Sequence, residues 1–492
     1  MRTDLNLFGT LRHIEALHAT EPLMQRAGLA AADLACELAT DRNRPVLVLA
    51  GPGNNGGDAI EAARLLRERF FDVRVVFGGK AEALPTDAAA AYRRFTETGG
   101  KTLTEIPDEP HWALIVDGLF GIGLRRAPEG RYAEWIAAAN RLAEHDNCPL
   151  LALDCPSGLD ADTGNVLGTA IRASHTITFI SGKPGLLTAD GPDHSGEVTV
   201  ADLDIPPGTP ADGKLLSRTD FADRLTPRRR NTHKGSFGSA GILGGGKAMV
   251  VAALLAGRAA LKLGAGRVYV GLHDPEPPAV DLVQPELMLR RADALWQVEL
   301  QALACGPGLG QSGEAVRLVE QALKCPLPLV LDADALNILA SDGRLEGNLS
   351  NRIAPAILTP HPAEAARLLE TSVREIQADR IAAARELARR YASHVALKGC
   401  GTVVATVDGR WWINTTGNPG MASAGMGDVL SGLVVALLAQ HWPAEQALLA
   451  AVHLHGAAAD RLVAEGAGPI GLTAGETIDA ARRLFNEWTG KR

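Results

Sequence analysis

Apolar residues in this chain come in short unbroken runs, separated by longer stretches where they recur at helical spacing. A run of four to six apolar residues without polar alternation reads as a strand buried on both faces. Such strands alternating with helices predict a parallel α/β sheet. Over the first part of the chain the pattern predicts strands at 45–50, 73–77, 113–116, 150–153, 176–180 and 198–200, with a helix through Glu61 to Arg69. The turn-rich stretch Ile205-Pro-Pro-Gly-Thr-Pro-Ala-Asp-Gly213 interrupts the series and marks a boundary. Beyond it a second series predicts strands at 240–243, 267–270, 302–305, 329–331, 356–358, 395–397 and 402–405, with helices at 249–263 and 429–438. No unit repeats with a solenoid-like period. The reading is α/β throughout: a Rossmann-like parallel-sheet domain at 1–212, and a second domain at 213–492.

Composition narrows the function classes. The chain has 492 residues, 46% hydrophobic and 22% charged, as expected of folded domains. A formal charge of −8 gives no reason to expect nucleic-acid binding. The basic run Arg228-Arg229-Arg230 reads as a solvated loop beside Pro227. None of the six cysteines forms a CxxC pair, so neither zinc-type spacing nor a disulfide framework is supported. The N-terminal segment lacks the apolar stretch of a signal peptide, and the longest apolar run, Leu430 to Gln440, is about half of what a bilayer span requires. A cytoplasmic protein without membrane contact is expected.

Chemistry gathers at predicted strand ends, where parallel sheets place their ligands. Gly51-Pro-Gly-Asn-Asn-Gly-Gly-Asp58 follows a strand and opens a helix, satisfying G-x-G-x-x-G. A dehydrogenase would also place a carboxylate about 20 residues on, at the next strand end. That region reads Val75-Val-Phe-Gly-Gly79, so hydride transfer is demoted. Val116-Asp-Gly-Leu-Phe-Gly-Ile-Gly-Leu-Arg-Arg126 and Leu153-Asp-Cys-Pro-Ser-Gly-Leu-Asp160 add Asp117, Asp154 and Ser157. Oxygens of Asn55, Asp117 and Ser157 could together hold a hard cation.

These segments resemble the NAD(P)H-hydrate epimerase family across essentially all of residues 1–210. The resemblance implies that Asn55, Asp117 and Ser157 bind K+. It also implies hydrate contacts from Asn54, Asn55, Gly56, Gly57, Asp58, Gly121, Ile122, Gly123, Leu124, Arg125, Arg126, Ala127 and Asp154. Asp154 is the candidate acid/base, because inverting a ring carbon breaks and remakes a bond there. Ala59 stands where that family usually has another glycine.

In the second half, Asn414-Thr-Thr-Gly-Asn-Pro-Gly-Met-Ala-Ser-Ala-Gly-Met-Gly-Asp428 runs directly into an apolar helix. Small residues let an anion approach the free amides of the first helical turn, with Asp428 beside it as a base. The segment resembles the anion hole of ribokinase-like kinases, implying a three-layer α/β/α fold. The ordered set His233-Lys-Gly-Ser-Phe-Gly-Ser-Ala-Gly-Ile-Leu-Gly-Gly-Gly246, Cys305-Gly-Pro-Gly-Leu-Gly310, Leu331-Asp-Ala-Asp-Ala-Leu-Asn337, Leu358-Thr-Pro-His-Pro-Ala-Glu364 and Leu397-Lys-Gly-Cys-Gly-Thr402 is similar to the ADP-dependent NAD(P)H-hydrate dehydratase family. His361 stands where many of the kinases have asparagine.

The second resemblance implies that Ala240, Gly308, His361 and catalytic Asp428 meet the hydrate. It implies nucleotide contacts from Lys398, Gly399, Cys400, Gly401, Thr402, Asn418, Pro419, Gly420, Met421, Ala422, Ser423, Ala424, Gly425, Met426 and Gly427. Met426 replaces a threonine common in relatives, leaving the backbone amides to form the anion hole. Together the resemblances imply repair of hydrated NADH and NADPH: epimerisation in the first domain, and ADP- and Mg2+-dependent dehydration in the second. The expected partners are the NADH and NADPH hydrates and ADP, within a homo-oligomer. The alternative is a ribokinase-like small-molecule kinase with a regulatory N-terminal domain.

Overall fold

The computed structural model of the chain describes residues 3–109, 111–206 and 208–490. It divides into two compact units, the second beginning at Leu215. The turn-rich stretch before that division includes Pro207, which lies outside the described residues.

The first unit is built on a seven-stranded sheet. Its strands are Val46–Ala50, Val73–Phe77, Thr102–Leu103, Leu114–Gly118, Leu150–Leu153, His175–Phe179 and Glu197–Ala201. Numbered in chain order they lie 3-2-1-4-5-6-7, all neighbours parallel. This is a doubly wound order, whose reversal lies between Val46–Ala50 and Leu114–Gly118. Burial explains the unbroken apolar runs. Val46, Val48 and Ala50 pack toward the helices Leu23–Leu38 and Asn54–Glu68. Leu47 and Leu49 face the opposite way, toward Trp135, Ile136 and Ala139 of the helix Arg131–Asp146.

The helix expected to run from Glu61 begins at Asn54 and takes in Gly56 and Gly57. Each glycine costs roughly 1 kcal/mol against alanine in a helix. Packing overrides that cost, because a Cβ on Gly56 would lie 1.9 Å from the Gly51 carbonyl oxygen.

Among the described residues, nine strands lie wholly within the second unit. From one edge they run Trp411–Asn414, Thr402–Ala405, His394–Leu397, Ala356–Leu358, Leu329–Leu331, Ala302–Cys305, Ser239–Gly244, Arg267–Leu272 and Met288–Arg291. The seven from His394–Leu397 onward are mutually parallel, and the other two turn back antiparallel. One face packs on the helices Val250–Lys262, Met426–Ala439, Ala444–Ala464 and Ala474–Thr489. Gly313–Lys324, Asp334–Ser341 and Pro362–Leu368 complete a three-layer α/β/α arrangement. The run Arg228-Arg229-Arg230 is an exposed loop as expected, in which Arg228 donates to the Gly264 carbonyl and Gln440 and lies over the Phe237 ring. No helix among the described residues is long and apolar enough to cross a membrane.

Small residues let Met426–Ala439 lie close against Val250–Lys262. A Cβ on Gly432 would fall 2.2 Å from the Ala256 carbonyl oxygen, whereas one on helical Gly347 would meet nothing within 4 Å. Gly432→Ala should therefore destabilise the second unit by about 1–3 kcal/mol through overpacking. Gly347→Ala should stabilise it by roughly 0.5–1 kcal/mol through reduced backbone entropy. Scanning calorimetry of the intact chain checks the pair; shifts of the same sign would contradict this packing.

Candidate functional site

At the reversal point of the first sheet, Leu49 pairs with Asp117 and Ala50 with Gly118. Asp117 is fully buried at its strand end. Its Oδ1 accepts from the Ser157 hydroxyl at 2.7 Å and its Oδ2 from the Ser157 amide at 2.8 Å. The Leu119 amide adds a third hydrogen bond at 3.2 Å. Burial nevertheless pushes the carboxyl up to about 6, against the pull of these donors. Beside this group lies Asn55, whose side-chain oxygen and nitrogen are both buried without a hydrogen-bond partner. An orphaned buried amide costs about 1–3 kcal/mol. Such a group next to an uncompensated carboxylate fits a cation held by oxygens. Asn55 Oδ1, Asp117, Ser157 Oγ and the Phe120 carbonyl, 3.2 Å from Ser157 Oγ, are the oxygens available to it.

Above this cluster opens a cavity of about 740 Å³. Asn54, Asn55, Asp58, Gly121, Ile122, Gly123, Leu124, Arg125, Arg126 and Asp154 all line it. Three expected contacts do not. Gly56 and Gly57 are packed inside, against Gly51 and against Met24 and Ala88, and Ala127 is exposed outside the cavity. Burial raises the Asp58 carboxyl well above its ordinary range, helped by the negative charges of Asp154 and Glu15.

Asp154 sits in the left-handed backbone region at φ +65°. For a residue other than glycine this costs on the order of 1–3 kcal/mol and occurs where a site imposes it. Its amide donates to the Ile177 carbonyl at 2.7 Å, and its own carbonyl accepts from Thr178 Oγ1 at 2.8 Å. Its carboxylate pairs with Lys183 Nζ at 2.6 Å. Sequence reasoning missed Lys183, although it follows a strand end in the turn Ser181-Gly-Lys-Pro184 where a ligand-facing charge is expected. It also missed the wall made by Leu11, Arg12 and Glu15, from a helix with no motif to announce it.

In the second unit Asp332 is the counterpart of these strand-end carboxylates, directly after Leu329–Leu331. It is buried, but Lys398 Nζ at 2.8 Å and Ser431 Oγ at 2.8 Å hold it below the usual carboxylate range. Lys398 also lies 3.9 Å from Glu364. Gly427 roofs the cluster: a Cβ there would stand 3.3 Å from Lys398 Nζ and 3.5 Å from Asp332 Oδ2. Gly425, at φ +89°, turns the chain into the helix Met426–Ala439, whose first-turn amides have no partner within the helix. Asp428 stands in that turn. Burial, with a further push from Asp332, raises its carboxyl to about 7 despite Lys398. It can therefore exchange a proton near neutrality.

His361 caps the helix Pro362–Leu368: Nδ1 accepts from the Ala363 and Glu364 amides, and Nε2 lies 3.2 Å from Glu364 Oε1. Partial burial and the charges of Lys398 and Arg367 lower its pKa, and with Nδ1 accepting from two amides the ring proton lies on Nε2. Half the side chain stays open to solvent. Asn418 is braced by Asp460, Ser423 donates to the Leu472 carbonyl, and the Lys398–Thr402 turn rests on buried Arg380. Gly308 packs against the first glycine loop, its carbonyl accepting from Gly246 at 2.6 Å.

Ala240 lies inside the strand Ser239–Gly244, between Val268 and Ala302, with no exposed surface in the ligand-free chain. Glu364 and Asp332 stood in recognised motifs without being singled out; Asp460 and Arg380 lie in no motif.

Comparison with known proteins agrees with this two-site layout. The NAD(P)H-hydrate dehydratase family matches residues 240–481, and the YjeF-related protein N-terminus matches residues 20–185. The bifunctional NAD(P)H-hydrate repair enzyme Nnr of Escherichia coli (strain K12) is 39% identical over 472 residues, 94% of this chain and 89% of that protein. Its counterpart in Coxiella burnetii is 38% identical over 452 residues, covering 90% of each. The crystal structure of ADP/ATP-dependent NAD(P)H-hydrate dehydratase from Bacillus subtilis, co-crystallised with ATP/Mg2+, is 33% identical with a TM-score of 0.50. That match covers 56% of this chain and 98% of that one. On identity, coverage and both domain matches, this chain belongs to the family of bifunctional NAD(P)H-hydrate repair enzymes.

Proposed function

We propose that Asp154 and Asp428 are the working carboxylates of two separate reactions on hydrated NADH and NADPH. The observation carrying this reading is that each unit has its own carboxylate at the mouth of a strand-end cluster. In the first unit, Asp58 carries a proton that it gives to the ring hydroxyl as the C–O bond breaks. The ring nitrogen lone pair closes a C=N bond and water is released. Water then re-adds from the opposite face, its oxygen bonding the ring carbon and its proton passing to Asp154. The hydrate is thereby inverted, and the transferred proton returns to Asp58.

Asn55, Asp117 and Ser157 would hold K+, and the ion would offset the buried Asp117 charge. If so, KCl should raise the melting temperature of the first unit above that in tetramethylammonium chloride at equal ionic strength, growing with K+ as ligand linkage requires. Asn55→Leu should abolish the difference. Equal melting in the two salts would contradict the site.

In the second unit Asp428 takes the proton of the S-hydrate hydroxyl as that oxygen attacks the terminal phosphorus of ADP. The bond to the bridging oxygen breaks and AMP leaves. Phosphate then departs from the ring carbon with the C–O electron pair, the ring nitrogen assisting. Loss of a proton from the neighbouring carbon restores the dihydronicotinamide. Amides of Met426, Gly427 and Asp428 face the transferred charge, with Lys398 beneath them. Mg2+ accompanying the nucleotide would be held near Asp332 and Glu364 and would neutralise phosphate charge.

Asp428→Asn should lower dehydration by about 10²–10⁴-fold, the usual worth of a general base, and leave epimerisation unchanged. Retained nucleotide-dependent recovery of NADH absorbance in that variant would rule out the role. The wild-type kcat/KM for dehydration should fall below pH of about 7, because the raised Asp428 carboxyl is then protonated and cannot act as base. A flat profile between roughly pH 5.5 and 8 would contradict this.

A further inference from the structure

Lys183 is an unusual residue for the wall of an open cavity. Its side chain is only 1% exposed, and its ammonium pairs with the Asp154 carboxylate. An ammonium has three N–H donors. One meets Asp154 Oδ1 at 2.6 Å, one the Phe179 carbonyl at 2.7 Å, and the last the Ser181 carbonyl at 3.5 Å. Its two short bonds are both to the protein itself. The same Oδ1 also takes the Phe179 amide at 3.5 Å. Asp154 Oδ2 lies instead beside Gly121 on the cavity wall, 3.1 Å from where a Cβ would stand. One carboxylate oxygen is thus tied down inside the protein, and the other is presented to the cavity.

The backbone is fixed to the same end. Asp154 holds its left-handed conformation between the Cys155 amide, bonded back to the Leu153 carbonyl at 2.7 Å, and its own contacts to Ile177 and Thr178. Lys183 reaches these groups from the turn after the next strand, His175–Phe179, so two neighbouring strand ends are locked through one ammonium.

We propose that Lys183 is the positioning residue of the epimerase site, orienting the Asp154 carboxylate so that Oδ2 faces the hydrate while Lys183 itself never touches it. This rests on Asp154 being the acid/base of epimerisation. Without the ammonium the carboxylate would lose its buried partner, and its χ2 rotation would no longer be set. Proton transfer should then suffer more than binding.

The test measures epimerisation by the intact chain carrying Lys183→Met, Lys183→Arg, Asp154→Asn, or Asp154→Asn together with Lys183→Met. Circular dichroism and the melting transition of the first unit in the same samples report that the mutated unit is folded. Lys183→Met should lower kcat for epimerisation by about 10–100-fold, with KM changed less than about twofold, as expected for a group acting only on the reacting geometry. Lys183→Arg should restore part of that loss. The double variant, in which no buried charge is left unpaired, should be no slower than Asp154→Asn alone, because Lys183 acts only through Asp154.

A rise in KM with kcat unchanged would show that Lys183 binds substrate, and would overturn the proposal. So would a double variant much slower than Asp154→Asn. If Asp154→Asn is inactive while Lys183→Met keeps full kcat, the positioning role falls and the acid/base reading stands. If Asp154→Asn keeps full activity, both fall together.

Discussion

A carboxylate removed from water must be compensated, at a cost of several kcal/mol per ion if it is not. This chain meets that constraint three times at the carboxyl end of a parallel strand. Asp154 is compensated by a buried lysine, and Asp332 by Lys398 and Ser431. Asp117 has hydrogen bonds from Ser157 and Leu119 but no cationic side chain among its bonded partners, and its carboxyl is the one pushed up to about 6. That difference, with the unpartnered amide of Asn55, is what the proposed cation site rests on. The sheets turn these demands into sites. Parallel strands bring their ends together on one edge, and the connecting loops must then neutralise what the strands deliver.

Around these paired carboxylates stand others that are left short of compensation. Asp58 and Asp428 each sit in the first turns of a helix facing open space, and each is raised by burial and by a carboxylate behind it. A carboxyl raised in this way holds its proton more tightly than an exposed one, as a proton-transferring group requires. The two units therefore share one arrangement, a compensated charge below and a proton-active carboxyl above, applied to different chemistry. Inverting a ring carbon needs a proton donor and acceptor around a cavity. Removing a hydroxyl needs phosphoryl transfer to make a leaving group, hence a helix start with free amides and small residues.

Much of this was legible in the chain itself. Strands buried on both faces show as unbroken apolar runs, so Leu150–Leu153, Ala302–Cys305, Leu329–Leu331 and Ala356–Leu358 coincide with the runs that announce them. Edge strands carry no such signal. Met288–Arg291 ends in two arginines, and Thr102–Leu103 has only two residues. The helix start at Asn54 was hidden because local glycine propensity opposes what tertiary packing imposes. Motif residues could be placed at strand ends, but which side faces the cavity depends on packing. Gly56, Gly57 and Ala240 therefore face inward. Lys183 escaped notice because a lysine between glycine and proline reads as a loop charge until its three acceptors are seen. His361 carries a capping role that its motif does not reveal.

The central claim is that one chain handles both epimers, with nucleotide needed only for the second step. The most direct measurement mixes the purified protein with both hydrate epimers and follows reduced-nicotinamide absorbance with ADP, with ATP or with neither. Complete recovery of absorbance is expected with nucleotide, with inorganic phosphate released in equal amount, and none without it. Accumulation of a phosphorylated product in place of reduced nicotinamide would contradict it.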